Sequence, residues 1–141
     1  LITKPESPCR ACPLYGSGKG FVPADGEGTN GVLIILEAAG AEEEVQGRPT
    51  VGKAGLYLWT AISRLGLKRE EFRIHNVLSC RPPENKLAKM PYEAEAISRC
   101  SPLLDATIQD HVSKSKSLNK TPVIVALGRI AFKRIMNLDE R

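Results

Sequence analysis

Long apolar runs are missing from this chain of 141 residues. None exceeds Val32–Leu36, where a membrane-crossing helix needs roughly 18 residues, so a soluble protein is expected. No basic segment followed by an apolar stretch opens the sequence, which starts at Leu1. Without a visible export signal the expected location is cytoplasmic, and a first residue other than Met predicts that the native N-terminus lies upstream. Internal repeats are absent, which sets repeat architectures aside. Cysteine is scarce: Cys9, Cys12, Cys80 and Cys100 are too few for a disulfide scaffold in a domain of this size. Neither sign of charge dominates, with 20 Lys and Arg against 16 Asp and Glu and a net charge of +4. That balance favours a polyanionic partner without requiring one. A composition 42% hydrophobic and 26% charged excludes disordered and fibrous classes and fits one globular domain over residues 1–141.

What is present reads as alternating strands and helices. Val32–Leu36, Arg73–Ser79 and Val123–Leu127 are rich in Val, Ile and Leu without the alternation of a half-exposed strand, which predicts buried strands. Leu58, Ile62 and Leu65 line one face of a helix from about Gly55, with Gly66 placed to cap it. A second helical region runs from Tyr92 to about His111 with a break or kink at Pro102, and a third spans Ile130–Met136. Gly16–Gly31 holds six glycines and Pro23 and reads as a connector. His111–Thr121 mixes Lys114, Lys116 and Lys120 with serines and reads as an exposed loop. The order predicts an α/β fold with a mostly parallel central sheet and helices on both faces. Ligands in such folds sit beyond the C-terminal ends of the strands, here after Leu36, Ser79 and Leu127.

Three groups of residues carry chemistry. Cys9 and Cys12 form a C-x-x-C pair; soft thiolates select zinc or an iron-sulfur cluster, and Cys80 and Cys100 would complete an all-cysteine shell. Glu37 stands at a strand end, followed by Ala38, Ala39 and Gly40, small residues that let a planar ligand approach the backbone. The turn Gly52-Lys53-Ala54-Gly55 opens a helix whose free N–H groups suit a phosphate, with Lys53 adding charge. The run Glu42–Glu44 reads as solvated acids complementing a helix dipole. Tyr57 and Trp59 sit at helical positions and read as packing residues.

These segments, taken together, resemble the iron-sulfur (family 4) uracil-DNA glycosylases of the uracil-DNA glycosylase superfamily. The resemblance rests on Cys9-Arg10-Ala11-Cys12-Pro13-Leu14, on Glu37 to Gly40 with Gly47 to Gly55, on Asn76 to Pro83, and on Ala126 to Arg129. It implies that the chain hydrolyses the N-glycosidic bond of uracil flipped out of single- or double-stranded DNA, with no membrane partner. It further implies a 4Fe-4S cluster on Cys9, Cys12, Cys80 and Cys100, with zinc as the alternative. An amide at a strand end can offer its carbonyl to uracil N3–H and its NH2 to O4, a pattern cytosine reverses; Asn76 is that residue. Glu37 would orient water and stabilise an oxocarbenium-like sugar, and the Ala38–Gly40 turn would stabilise the departing uracil anion. Thr50 occupies the position where the family stacks a Phe on the base, and Gly52, Lys53 and Arg81 are placed for DNA phosphates. His75 should point to the face opposite Asn76, and both His75 and His111 read as structural or surface residues. The sequence ends at Arg141 before the family's later His motif. This predicts either a truncated glycosylase, with a missing C-terminal part or a protein partner, or a catalytically inactive DNA-binding or assembly module.

Overall fold

The computed structural model describes residues 4–5, 8–18 and 20–137. Three strands, β1 (Val32–Ala38), β2 (Arg73–Leu78) and β3 (Val123–Ala126), form a parallel sheet in the order β2-β1-β3. β1 takes the centre because its residues are apolar on both faces: Leu33, Ile34 and Ile35 are all buried. Alternate side chains feed two separate clusters, as a sheet covered on both sides requires. Leu33 and Ile35 join Leu104 and Ile130 on one side, whereas Ile34 and Ile74 pack with Phe72, Leu58, Trp59 and Ile62 on the other.

Among the described residues four α-helices complete the fold: α1 (Ala41–Gln46), α2 (Lys53–Ser63), α3 (Glu93–Ser117) and α4 (Arg129–Met136). α2 covers one face, and α3 and α4 cover the other. None of the described helices is long and apolar enough to cross a membrane. α2 begins two residues before its expected start. Gly66 follows it with φ +74°, while Leu65 falls beyond the helix and is 75% exposed rather than part of its packed face.

α3 departs most from the sequence expectation. Pro102 neither ends nor divides it. Pro102 is exposed, and Ser98, whose carbonyl loses its helical donor, is exposed as well, which leaves that carbonyl open to solvent rather than buried without a partner. The helix also continues through the Lys- and Ser-rich segment read as a loop. His111 and Ser115, four residues apart, are both 1% exposed, and the His111 Nε2–H donates to the Gly31 carbonyl at 2.9 Å. Gly28 lies against the His111 ring in a left-handed conformation. Lys114 and Lys116 therefore lie on a helix, and only Lys120 falls in a loop, residues 118–122, that leads into β3.

His75 points from β2 into the α3 side. Its Nδ1 lies 2.9 Å from Thr107 Oγ1 and its Nε2 3.2 Å from Ser79 Oγ. Burial, with a smaller contribution from Arg73, pushes its pKa from 6.5 down to about 4. The unfolded chain therefore takes up this proton first. The resulting stability is complete above about pH 6.5 and is lost as pH falls to about 4, on the order of 3 kcal/mol. His75→Gln is expected to flatten that part of the pH–stability curve measured by denaturant unfolding; an equally steep fall in the variant would assign it to other groups.

Candidate active site and cysteine centre

The C-terminal ends of β1 and β2 lie side by side, Leu36 pairing with Asn76 and Ala38 with Leu78. Asn76 is 2% exposed and shares the α2 side of the sheet with Ile34 and Ile74. Its amide Nδ2 is buried without any hydrogen-bond partner. Glu37, one residue along β1, alternates to the α3 side. There burial, and then the charge of Glu93 at the start of α3, raise its carboxyl above the ordinary glutamate value. The strand ends thus bring both residues to one edge of the sheet but on opposite faces. Beside Glu93 a groove of about 660 Å³ separates the beginning of α3 from α4, lined in part by Ile97, Ile130 and Lys133.

Ala38 is the last residue of β1, Ala39 is buried, and Gly40 caps α1. Thr50 lies in the following turn, 5% exposed and in the left-handed region at φ +59°. Its carbonyl accepts from Trp59 Nε1 and from Arg69, both at 2.9 Å. A Cβ at Gly55 would stand 2.2 Å from that same oxygen, so only glycine lets α2 start so close to the turn. The Thr50 hydroxyl, like the Asn76 amide, is buried without a partner. Arg69 also donates to the Pro49 carbonyl and to Asp25, and its guanidinium lies 4.8 Å from the centre of the Trp59 ring. Burial alone would raise the Asp25 carboxyl, but hydrogen bonds and charge from Arg69 and Arg48 hold it below its ordinary value. Trp59 is a packing residue as expected, whereas Tyr57 is 68% exposed and packs on nothing in the core.

The acidic run after β1 is not the solvated stretch expected from sequence. Glu42 alone is exposed. Glu43 Oε1 accepts from the N–H groups of Val51 at 3.1 Å and Gly52 at 2.9 Å, and Oε2 from that of Gly40 at 3.1 Å. The Gly52 N–H expected to be free for a phosphate is therefore already taken. Lys53 remains exposed at the first turn of α2. Glu44 is 4% exposed and lies 3.7 Å from Arg81, whose Nε also donates to Asn85. Arg81 is thus tethered within the fold rather than freely presented. Arg69 and Asp25, which sequence reasoning passed over, carried no local signal, while Glu43, read as a solvated acid, stands three residues after the N-cap Gly40, the half of a capping box that a glycine allows.

All four cysteines are free thiols and line one cavity together with Leu14, Phe21 and Leu78. Cys9 opens a single 3₁₀ turn, Cys9–Ala11, closed by a 2.9 Å bond from the Cys12 N–H to the Cys9 carbonyl. Cys80 follows β2, and Cys100 projects from α3 with its sulfur accepting from the Ser79 N–H at 3.3 Å. Burial, with repulsion from the other cysteines, pushes the Cys80 thiol up to about 12, against an opposing effect of Lys4. Lys4 also ties the segment down, its ammonium donating to the carbonyls of Leu14, Tyr15 and Ser17. A structural zinc needs its ligands about 2.3 Å from one point. Among the described residues no three His, Cys, Asp or Glu side chains are arranged to hold a single ion. Four thiols lining one cavity form a soft donor set of the kind that thiolate-bound metal centres use.

Comparison with known proteins agrees with this geometry. The family model described as the uracil DNA glycosylase superfamily matches residues 23–141. The type-4 uracil-DNA glycosylase of Pyrobaculum aerophilum is 41% identical over 133 residues, covering 94% of this chain and 62% of its own length. That of Archaeoglobus fulgidus is 34% identical, covering 92% and 59% respectively, and that of Thermotoga maritima 34% identical, covering 94% and 62%. The chain spans about three fifths of the length of these curated relatives.

Proposed function

This chain belongs to the uracil DNA glycosylase superfamily, and on that premise we propose that it excises uracil from DNA by hydrolysing the N-glycosidic bond. The observation that carries the reading is the buried, unpartnered Nδ2 of Asn76. An unpaired buried amide costs about 1–3 kcal/mol, a cost a fold tolerates where a ligand supplies the partner. Uracil does so: its O4 accepts from the Asn76 NH2 while its N3–H donates to the Asn76 carbonyl. Cytosine offers a donor and an acceptor in the reverse order and leaves both groups unpaired. A base inside a duplex cannot reach a buried strand end, so it must be flipped out.

Glu37 is proposed to orient water toward the sugar carbon and to stabilise its positive charge as the bond to uracil breaks. The turn after β1 faces the departing anion with backbone N–H groups other than that of Gly40, which Glu43 holds. Thr50 supports the base through a hydroxyl rather than an aromatic face. Lys53 and, through its tethered guanidinium, Arg81 are proposed to meet DNA phosphates. Cys9, Cys12, Cys80 and Cys100 would hold a 4Fe-4S cluster, which when bound supplies a staple joining the N-terminal segment to the end of β2 and to α3.

The test uses the full-length protein with a single-stranded uracil oligonucleotide followed by alkali. Scission at the uracil is expected, with a cytosine control left intact. Binding without scission would sink the enzymatic reading and leave a DNA-binding module. Because the carboxylate form of Glu37 is the working one, excision is expected to fall on acidification with a midpoint above the ordinary glutamate range. Glu93→Gln removes the neighbouring charge, the smaller of the two causes, and should move that midpoint to lower pH; excision that does not fall on acidification would take Glu37 out of the reaction.

A further inference from the structure

We propose that Glu43 is a positioning residue for base excision, a single carboxylate that fixes the turn after β1 against the turn before α2. The inference rests on the excision reading above and adds to it a residue that touches neither substrate nor reacting atoms. Ionised carboxylates only accept, and two oxygens provide sites for several donors; here they take three backbone N–H groups from two separate turns. The glycines fit closely around them. A Cβ at Gly40 would stand 2.8 Å from Oε2, and one at Gly52 would stand 3.2 Å from Oε1.

Between these two turns lies α1, only six residues long and far too short to hold its direction alone. The separation of the turns is therefore set by the carboxylate rather than by the helix. Thr50 is gripped from both sides. Trp59 and Arg69 hold its carbonyl, and Glu43 holds the next two N–H groups. The bracket thus fixes where the buried Thr50 hydroxyl stands relative to Ala38, Ala39 and Gly40. A displacement of about 1 Å of such groups lowers catalysis about a hundredfold without weakening binding in proportion.

The variants separate the two arms. Glu43→Gln keeps one carbonyl oxygen for Val51 and Gly52 but turns an NH2 toward the Gly40 N–H, where two donors oppose each other. Glu43→Ala removes both arms. With the full-length protein, Glu43→Gln is expected to lower kcat about 10- to 100-fold while KM for uracil-containing DNA stays within about threefold. Glu42→Gln, an exposed neighbour, should match the parent within about twofold. Amide hydrogen exchange at Gly40 should accelerate in Glu43→Gln with Val51 and Gly52 still protected, and at all three in Glu43→Ala. If Glu43→Ala fails to fold, Glu43→Gln alone still decides the matter. An active parent with unchanged kcat, a rise confined to KM, or unchanged Gly40 exchange in Glu43→Gln overturns this inference alone. A parent that excises no uracil overturns the functional reading and the reaction role of Glu43 with it.

Discussion

Asn76→Leu is expected to lower uracil excision roughly 10³- to 10⁴-fold while leaving the protein as stable as the parent or more so. The two directions follow from one atom. In the folded chain Nδ2 is buried without a partner, so an apolar side chain of similar size removes an unpaired donor, worth about 1–3 kcal/mol. On the proposed reading, the same substitution would strip uracil of both hydrogen bonds that distinguish it from cytosine. Thermal unfolding and single-turnover excision on the same preparation would measure the pair of effects. If stability fell by several kcal/mol, Asn76 would be a structural residue satisfied within the native ensemble, and the loss of activity would say nothing about base reading. Asn76→Asp makes a useful contrast, because a carboxylate at a position only 2% exposed must either protonate or destabilise the sheet.

β1 was legible because it is buried on both faces, a condition that writes itself into the chain as the apolar run Val32–Leu36; β2 is buried despite Arg73, His75 and Asn76, whereas β3, expected from its apolar run to be buried, is an edge strand with Val123 43% and Val125 36% exposed. The polar end of α3 was not legible. His111 and Ser115 are poor markers of burial, and only the Gly31 carbonyl, 80 residues away in sequence, explains why a histidine is interior. Asn76 and the four cysteines could be singled out from the sequence through motif and resemblance together. The supports of Thr50 could not, since Arg69 reaches it across 19 residues and Asp25 across 44, separations at which a surface arginine and an anchoring arginine look alike. Glu43 lay between these cases. Its capping-box spacing predicts the bond to Gly40, but nothing local predicts that its other oxygen reaches Val51 and Gly52. The side chains placed at the strand ends came from sequence; the contacts that hold those turns in register came from the folded chain.

Cys100→Ser is expected to abolish the visible absorption that iron-sulfur centres show and d¹⁰ zinc lacks, and to cost the full-length protein several kcal/mol of stability. The size of the effect comes from where the ligands lie. Cys9 and Cys12 belong to a segment that meets the rest of the fold at Leu14 and around this cavity, while Cys80 and Cys100 belong to the sheet edge and to α3. With the proposed cluster bound, loss of one sulfur would therefore release a cross-link between sequence-distant parts rather than a local contact. Serine is a stringent substitution here, since it keeps a hydrogen-bonding group near the Ser79 N–H that the Cys100 sulfur accepts from but is a poor ligand for soft metal centres. Limited proteolysis should then cut first in the N-terminal segment, before the sheet is lost. Iron and inorganic sulfide measured on the purified parent would identify the bound species. A stoichiometric single zinc, or a Cys100→Ser protein as stable and as protease-resistant as the parent, would remove the cluster and with it the reason for four thiols to meet in one cavity.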